Sequence, residues 1–131
     1  MNEYDLNRFL QAQELNYPTA LAEMKAGEKM SHWIWYIFPQ QKGLGRSYNS
    51  EYYGLDGVAE AQAYWNHPIL KSRLIEITKS VLSHSGKRPI AQIMGSGIDA
   101  KKFRSCMLLF NKVAPDDVFQ RALDAFFPHR R

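Results

Sequence analysis

Apolar residues recur three and four positions apart through most of this chain, and a proline or glycine falls where one run gives way to the next. That spacing places side chains along one face of a helix, whereas a half-buried strand needs alternation by two. Leu70, Leu74, Ile77 and Val81 form the cleanest stripe, and Pro68 stands at the first helical position, where its missing N–H costs nothing. Leu6, Phe9, Leu10 and Gln13 share another face. The pattern there predicts a helix, a break at Tyr17 to Thr19 around Pro18, and a second short helix through Leu21 and Met24 that Gly27 caps.

Further helices are expected where Ala61 and Trp65 lie on one side, in a single turn after Pro89, and in a segment begun by Asp99 that carries Phe103, Met107 and Phe110. A last one is opened by Pro115, Asp116 and Asp117 and faces inward through Val118, Ala122 and Phe126. Ser83 to Pro89 reads as a connector. The fold class is therefore all-α, a single compact domain of about six or seven helices by this periodicity.

The segment SHWIWYIF, residues 31 to 38, is short and apolar on all sides. A helix is expected, with Ser31 as N-cap and Pro39 as stop. From Gln40 to Gly57 the chain is turn-rich and predicts a long Gly-containing loop, the kind of region that carries function on a rigid scaffold.

At 131 residues the chain can bury one sizeable core without disulfide or metal staples. Cys106 is alone, so no internal bridge and no Cys/His ligand quartet can form; no metal or cofactor is implied, and a reducing cytoplasm is the expected setting. The opening MNEYDLNRFLQAQ has early acids and no apolar run, unlike a secretory signal. No stretch reaches the length of a membrane span, so the expectation is soluble and cytoplasmic. The formal charge is +4, with Lys and Arg dispersed among acids except at Lys101, Lys102, Arg104 and the terminal His129, Arg130, Arg131. Without a basic stripe or a recognised motif, a dedicated nucleic-acid role is not expected.

Four aromatic rings and His32 fall within residues 32 to 38. So many rings cannot all face one buried stripe, and the surplus suits a wall for a flat heterocycle, made by Trp33, Trp35 and His32. The competing reading is ordinary core with a satisfied histidine. Downstream, Gly43 and Gly45 let backbone N–H groups converge on an anion, and Arg46 with Ser47 can hold phosphate oxygens, although a turn needing left-handed glycines explains the same residues. Lys29, Gln40 and Lys102 are expected to fix polar groups, with Ser31 and Ser105 nearby. His32 is the best candidate acid or base. Glu51, Asp56, Glu60 and Asp99 border the loops and are weaker candidates. Cys106 sits mid-helix beside Met107, where a thiol is a small apolar residue rather than a nucleophile.

The strings DLNRFLQAQ, SHWIWYIFPQ with GLGRS, and AYWNHPIL followed by RL resemble the signatures of the family called domain of unknown function 1810. The resemblance covers nearly the whole chain and implies a small, mainly helical domain with no assigned reaction. Members are sometimes labelled calpastatin, a name that fits poorly, because an inhibitor that folds on binding should be polar and disordered. The resemblance implies site roles at Phe9, Gln13, Lys29, Ser31, His32, Trp33, Trp35, Phe38, Pro39, Gln40, Gly43, Gly45 and Ser47, and it extends to His67, Pro68, Asp99, Lys102, Ser105 and Met107. Cys106 and Leu108 replace the family's usual Ser and Thr, which argues against hydroxyl chemistry at those positions. The chain ends at FFPHRR where members often continue, so a contact from that tail would be missing. FLQAQ is also similar to the first helix of the NADAR group, which acts on ADP-ribose derivatives. The functional expectation is a small-molecule site for a nucleotide or ADP-ribose-like phosphorylated ligand, with hydrolysis as the candidate reaction. The alternative is a docking or self-association module using the aromatic segment 31–48.

Overall fold

A computed structural model describes residues 4–43, 45–115 and 117–128. Among them are eight helices: α1 (Asn7–Ala26), α2 (Ile34–Ile37), α3 (Tyr48–Tyr52), α4 (Gly57–Asn66), α5 (Pro68–Leu82), α6 (Ile90–Met94), α7 (Gly97–Val113) and α8 (Val118–Phe126). The class is all-α as expected, and no strand occurs among the described residues. Leu44, Asp116 and the basic residues 129–131 lie outside them.

The expected break at Pro18 is absent, and α1 runs unbroken with Pro18 inside it. Proline forfeits one intrahelical hydrogen bond. Burial of Tyr17, Ala20 and Met24 along the face that meets α5 offsets that loss, while Pro18 itself faces solvent. Tyr17 is further tied down by a 2.5 Å bond from its hydroxyl to Glu76 Oε1. The end of α1 is as expected: Gly27 adopts φ 81°, and the N–H groups of Gly27 and Glu28 close on Met24 O and Glu23 O.

Three other expectations need correction. Helix α2 is one turn, Ile34–Ile37, and Trp33 rather than Ser31 occupies its N-cap, because the Ser31 hydroxyl is bonded to Glu23. The long loop contains α3, started by Ser47, whose Oγ accepts from Ser50 N at 3.2 Å. Helix α7 begins at Gly97, two residues before Asp99, because the Ser96 hydroxyl accepts from Asp99 N.

Helix α7 is the hub. It packs against α4, α6, α8 and α2, and it buries Phe103, Cys106, Met107, Leu109 and Phe110. Phe103 meets Phe38 edge-on at 4.9 Å, which joins the aromatic segment to the hub, and Phe110 meets Tyr64 of α4 at 5.3 Å. Helix α1 covers the other side, on α5 and α2. The stripe expected on α5 is buried at all four positions. No helix among the described residues is long and apolar enough to cross a membrane.

A buried ion pair locks α1 to the region around α3. Arg8 meets Glu60 at 2.9 Å, with side chains 9% and 4% exposed. The guanidinium also donates to Tyr52 O at 2.8 Å and Gly54 O at 3.1 Å, while Glu60 Oε1 accepts from Asp56 N at 2.8 Å. A parallel bridge between Gln41 and Leu55 closes the same loop, with Lys42 N on Leu55 O and Leu55 N on Gln40 O.

Two stability outcomes follow from these contacts. Gly27→Ala forces a side chain into the left-handed region and sets its Cβ 2.9 Å from the His84 ring, so a loss of about 1–3 kcal/mol is expected in urea unfolding. Glu60→Ala leaves the Arg8 charge buried without its partner and should cost about 3–5 kcal/mol in the same measurement. A change under about 0.5 kcal/mol, the range of ordinary surface substitutions, would contradict either account.

Candidate functional site

Residues 28 to 33 leave the end of α1 without regular structure, so their polar groups need partners from elsewhere. Glu23 supplies most of them. Its Oε1 accepts from Met30 N at 2.8 Å, Ser31 N at 3.0 Å and Trp33 Nε1 at 2.8 Å, and its Oε2 accepts from Ser31 Oγ at 2.6 Å. Burial alone would raise the Glu23 pKa, but these donors outweigh it and hold the carboxyl below its usual value of 4.5.

Lys29 joins this segment to α7. Its side chain is only 6% exposed, and its ammonium donates to Ser31 O at 2.6 Å, pairs with Asp99 Oδ2 at 2.9 Å and lies 5.0 Å over the Trp33 ring. The backbone agrees, with Lys29 N on Ile93 O at 2.8 Å. Lys102 stands on the other side of Asp99, 3.8 Å from Oδ1, and 5.0 Å over the face of Trp35. Two ammonium groups thus share one carboxylate. The Lys102 ammonium makes no hydrogen bond among the described residues and its side chain is 24% exposed.

Trp35 leads to a crevice of about 10 Å³ that it lines with Gln40, Asn49, Ser50, Tyr53 and Gly54. Its indole N–H is buried and has no partner among the described residues. Gly45 borders the crevice through Ser50: a Cβ at Gly45 would stand 2.8 Å from the Ser50 side chain, so glycine is needed there for close approach. The Arg8 clamp and the Gln41–Leu55 bridge hold the wall formed by Tyr53 and Gly54.

The residues singled out from sequence therefore fall into linked groups. Lys29, Ser31 and Trp33 surround Glu23 and Asp99, and Trp35, Gln40, Gly45 and Lys102 gather at the crevice. Trp33 is 1% exposed and packs against Phe38, so it offers no ring face to a ligand and belongs to the core. Trp35 is only partly buried, but Lys102 covers a face of its ring. His32 is exposed, and its ring makes no hydrogen bond among the described residues. Gly43 has φ 94° and is exposed, as is Arg46. The Ser47 hydroxyl is engaged in capping α3. Ser105 is half-buried one turn beyond Lys102 on α7. The thiol of Cys106 is fully buried, which raises its pKa well above the usual range and agrees with a structural role.

Sequence reasoning missed Glu23, Asn49, Ser50 and Tyr53. Only Ser50 carries a local signal, since it lies three residues after the capping Ser47. A roomier hollow of about 590 Å³ lies along the outside of α5 between Pro68 and Lys79, but a single helix lines it and it holds no residue of the crevice or of the Lys29–Asp99–Lys102 cluster.

The sequence profile of the family described as "Protein of unknown function (DUF1810)" matches residues 3–131. The chain belongs to the DUF1810 family. Among solved structures, this DUF1810 chain is similar to the conserved hypothetical protein Rv1873 from Mycobacterium tuberculosis, determined by crystallography at 1.38 Å. The two share 37% identity over 96% of this chain and 89% of that one, with a TM-score of 0.90. No curated protein matches.

The Glu23 geometry sets the sign of a pH effect. A carboxyl whose folded pKa is lowered stabilises the fold above its unfolded pKa, and that contribution disappears as pH falls through the folded value. Stability measured by urea unfolding should therefore fall below about pH 4.5, and Glu23→Gln should be less stable at pH 7 and show a shallower acid decline. An identical decline in the variant would assign the acid sensitivity to other groups.

Proposed function

We propose that the face built from Lys102, Trp35, Gly43 and residues 45–47 is a small-molecule site for a phosphorylated, nucleotide-like ligand such as an ADP-ribose derivative. The observation that carries this reading is the state of Lys102. Its ammonium is held in place by the Trp35 ring, stands outside hydrogen-bond range of Asp99, and shares that single carboxylate with Lys29. Lys102 therefore has ammonium donors unspent, which is what an anion needs. Arg46 adds a second exposed cation on the loop beside the crevice, and the positive φ of Gly43 suits a turn that exposes backbone N–H groups. The similarity to the NADAR group points the same way on ligand class.

This is a reading of binding. His32, exposed between Ser31 and Trp33, is the group through which hydrolytic chemistry is tested, because an imidazole can donate or accept a proton.

One observation favours a second reading, a protein-docking surface. Tyr48 and Tyr52 stack at 5.6 Å with their planes 10° apart and are 76% and 42% exposed, and exposed tyrosines are frequent interface anchors.

Thermal unfolding against ADP-ribose, NAD, AMP and inorganic phosphate tests the first reading. Ligand in large excess over its Kd should raise the melting temperature by several degrees, since it stabilises only the folded state. Lys102→Ala should weaken the same ligand by about tenfold, equivalent to 1.4 kcal/mol. A flat panel, together with concentration-dependent self-association that Tyr48→Ala abolishes, would replace this reading with the docking surface.

A further inference from the structure

The crevice beside Trp35 differs in chemistry from the cationic cluster that adjoins it. No charged side chain among the described residues lines it. The indole N–H of Trp35 is buried without a partner among them, and that group can only donate. Gln40, 8% exposed, and the half-buried Asn49 line the same space, and their side-chain amides make no hydrogen bond among the described residues. The Ser50 hydroxyl, in contrast, is spent on Ser47 O at 2.9 Å. Trp35, which carries an orphan donor, and two residues with unpaired carboxamides thus line one small space. Buried polar groups are seldom left unsatisfied without a reason.

Lys102 lies over the Trp35 ring, so that face of the indole is unavailable for stacking and its N–H edge is what remains to recognise a ligand. The space, about 10 Å³, admits one water-sized group. An uncharged oxygen fits both the size and the lone donor, whereas a carboxylate or phosphate oxygen would lose its hydration with no cation lining the crevice. Carboxamide side chains present a donor beside an acceptor, the complement of a planar amide edge.

We infer that this crevice recognises the carbonyl edge of a neutral planar amide, either a lactam-type nucleobase or a ring-borne carboxamide. The inference rests on the preceding reading, in which Lys102 meets the phosphate of the same ligand. The carbonyl oxygen accepts from Trp35 Nε1, the ring stays outside, and Gln40 and Asn49 pair with the adjoining amide N–H.

The test is isothermal titration of the full chain with ribose 5-phosphate, AMP, GMP and nicotinamide mononucleotide. All four carry a phosphate, but only the last two carry a carbonyl on the ring system. GMP or nicotinamide mononucleotide should bind at least about fivefold tighter than AMP and ribose 5-phosphate, the scale of one well-made buried hydrogen bond. Trp35→Phe keeps a ring under Lys102 but removes the donor, and Asn49→Ala removes an amide from a half-buried surface position. In each variant, checked as folded by its thermal unfolding transition, that advantage should shrink to less than about twofold. If all four compounds bind alike, this inference fails while the phosphate site stands, and the crevice holds no more than a water. If none binds, both readings fail. An advantage that survives in both variants would also overturn the inference, because the discrimination would then arise elsewhere.

Discussion

The Glu23 carboxylate is the contact on which the site depends. A stretch of chain without secondary structure crosses the end of α1, and four donors from residues 30, 31 and 33 converge on this one group. Trp33 can bury its indole only because the indole N–H finds that acceptor, and Lys29 can hold its ammonium near Asp99 only because the segment around it is fixed. Each step transfers position from one element to the next: from α1 to the 28–33 segment, through Lys29 and Asp99 to α7, and through Lys102 to Trp35. Lys29, Asp99 and Lys102 alternate in charge, which offsets part of their desolvation cost.

The opposite wall is fixed by independent means. Arg8 and Glu60 form a second buried pair, and their remaining polar atoms reach the backbone of residues 52 to 56. Two ion pairs anchored on α1, one near its start and one through the segment that follows its end, therefore define the two sides of a crevice to which α1 itself contributes no lining residue. The helix serves as a ruler, and its unbroken course through Pro18 is what sets the distance between them. A true break there would uncouple the two walls.

Much of the architecture was legible in sequence where one cause acts alone. The α5 stripe, the glycine at the end of α1 and Pro68 at a helix start each follow from local sterics or periodicity. Errors arose where distant contacts decide. Pro18 signals a break until the burial of Tyr17 and Ala20 is known, and Ser31 reads as a cap until Glu23 takes its hydroxyl. The aromatic run does not reveal the job of each ring: Trp33 and Trp35 are two residues apart, yet one is core and the other borders a crevice. Glu23 itself has no local signature, because nothing in a helical Glu announces that donors up to ten residues downstream will fold back onto it.

Cys106 has a different consequence. It is the chain's sole thiol and lies fully buried in the middle of the hub helix, against which most of the other helices pack. A water-borne alkylating reagent reaches it only when that packing opens, so the rate of modification counts openings of the hub rather than exposure in the resting fold. The protein thus contains its own clock for core breathing. Because α7 also carries Asp99 and Lys102, the same clock registers whether occupying the site quiets the helix that holds it.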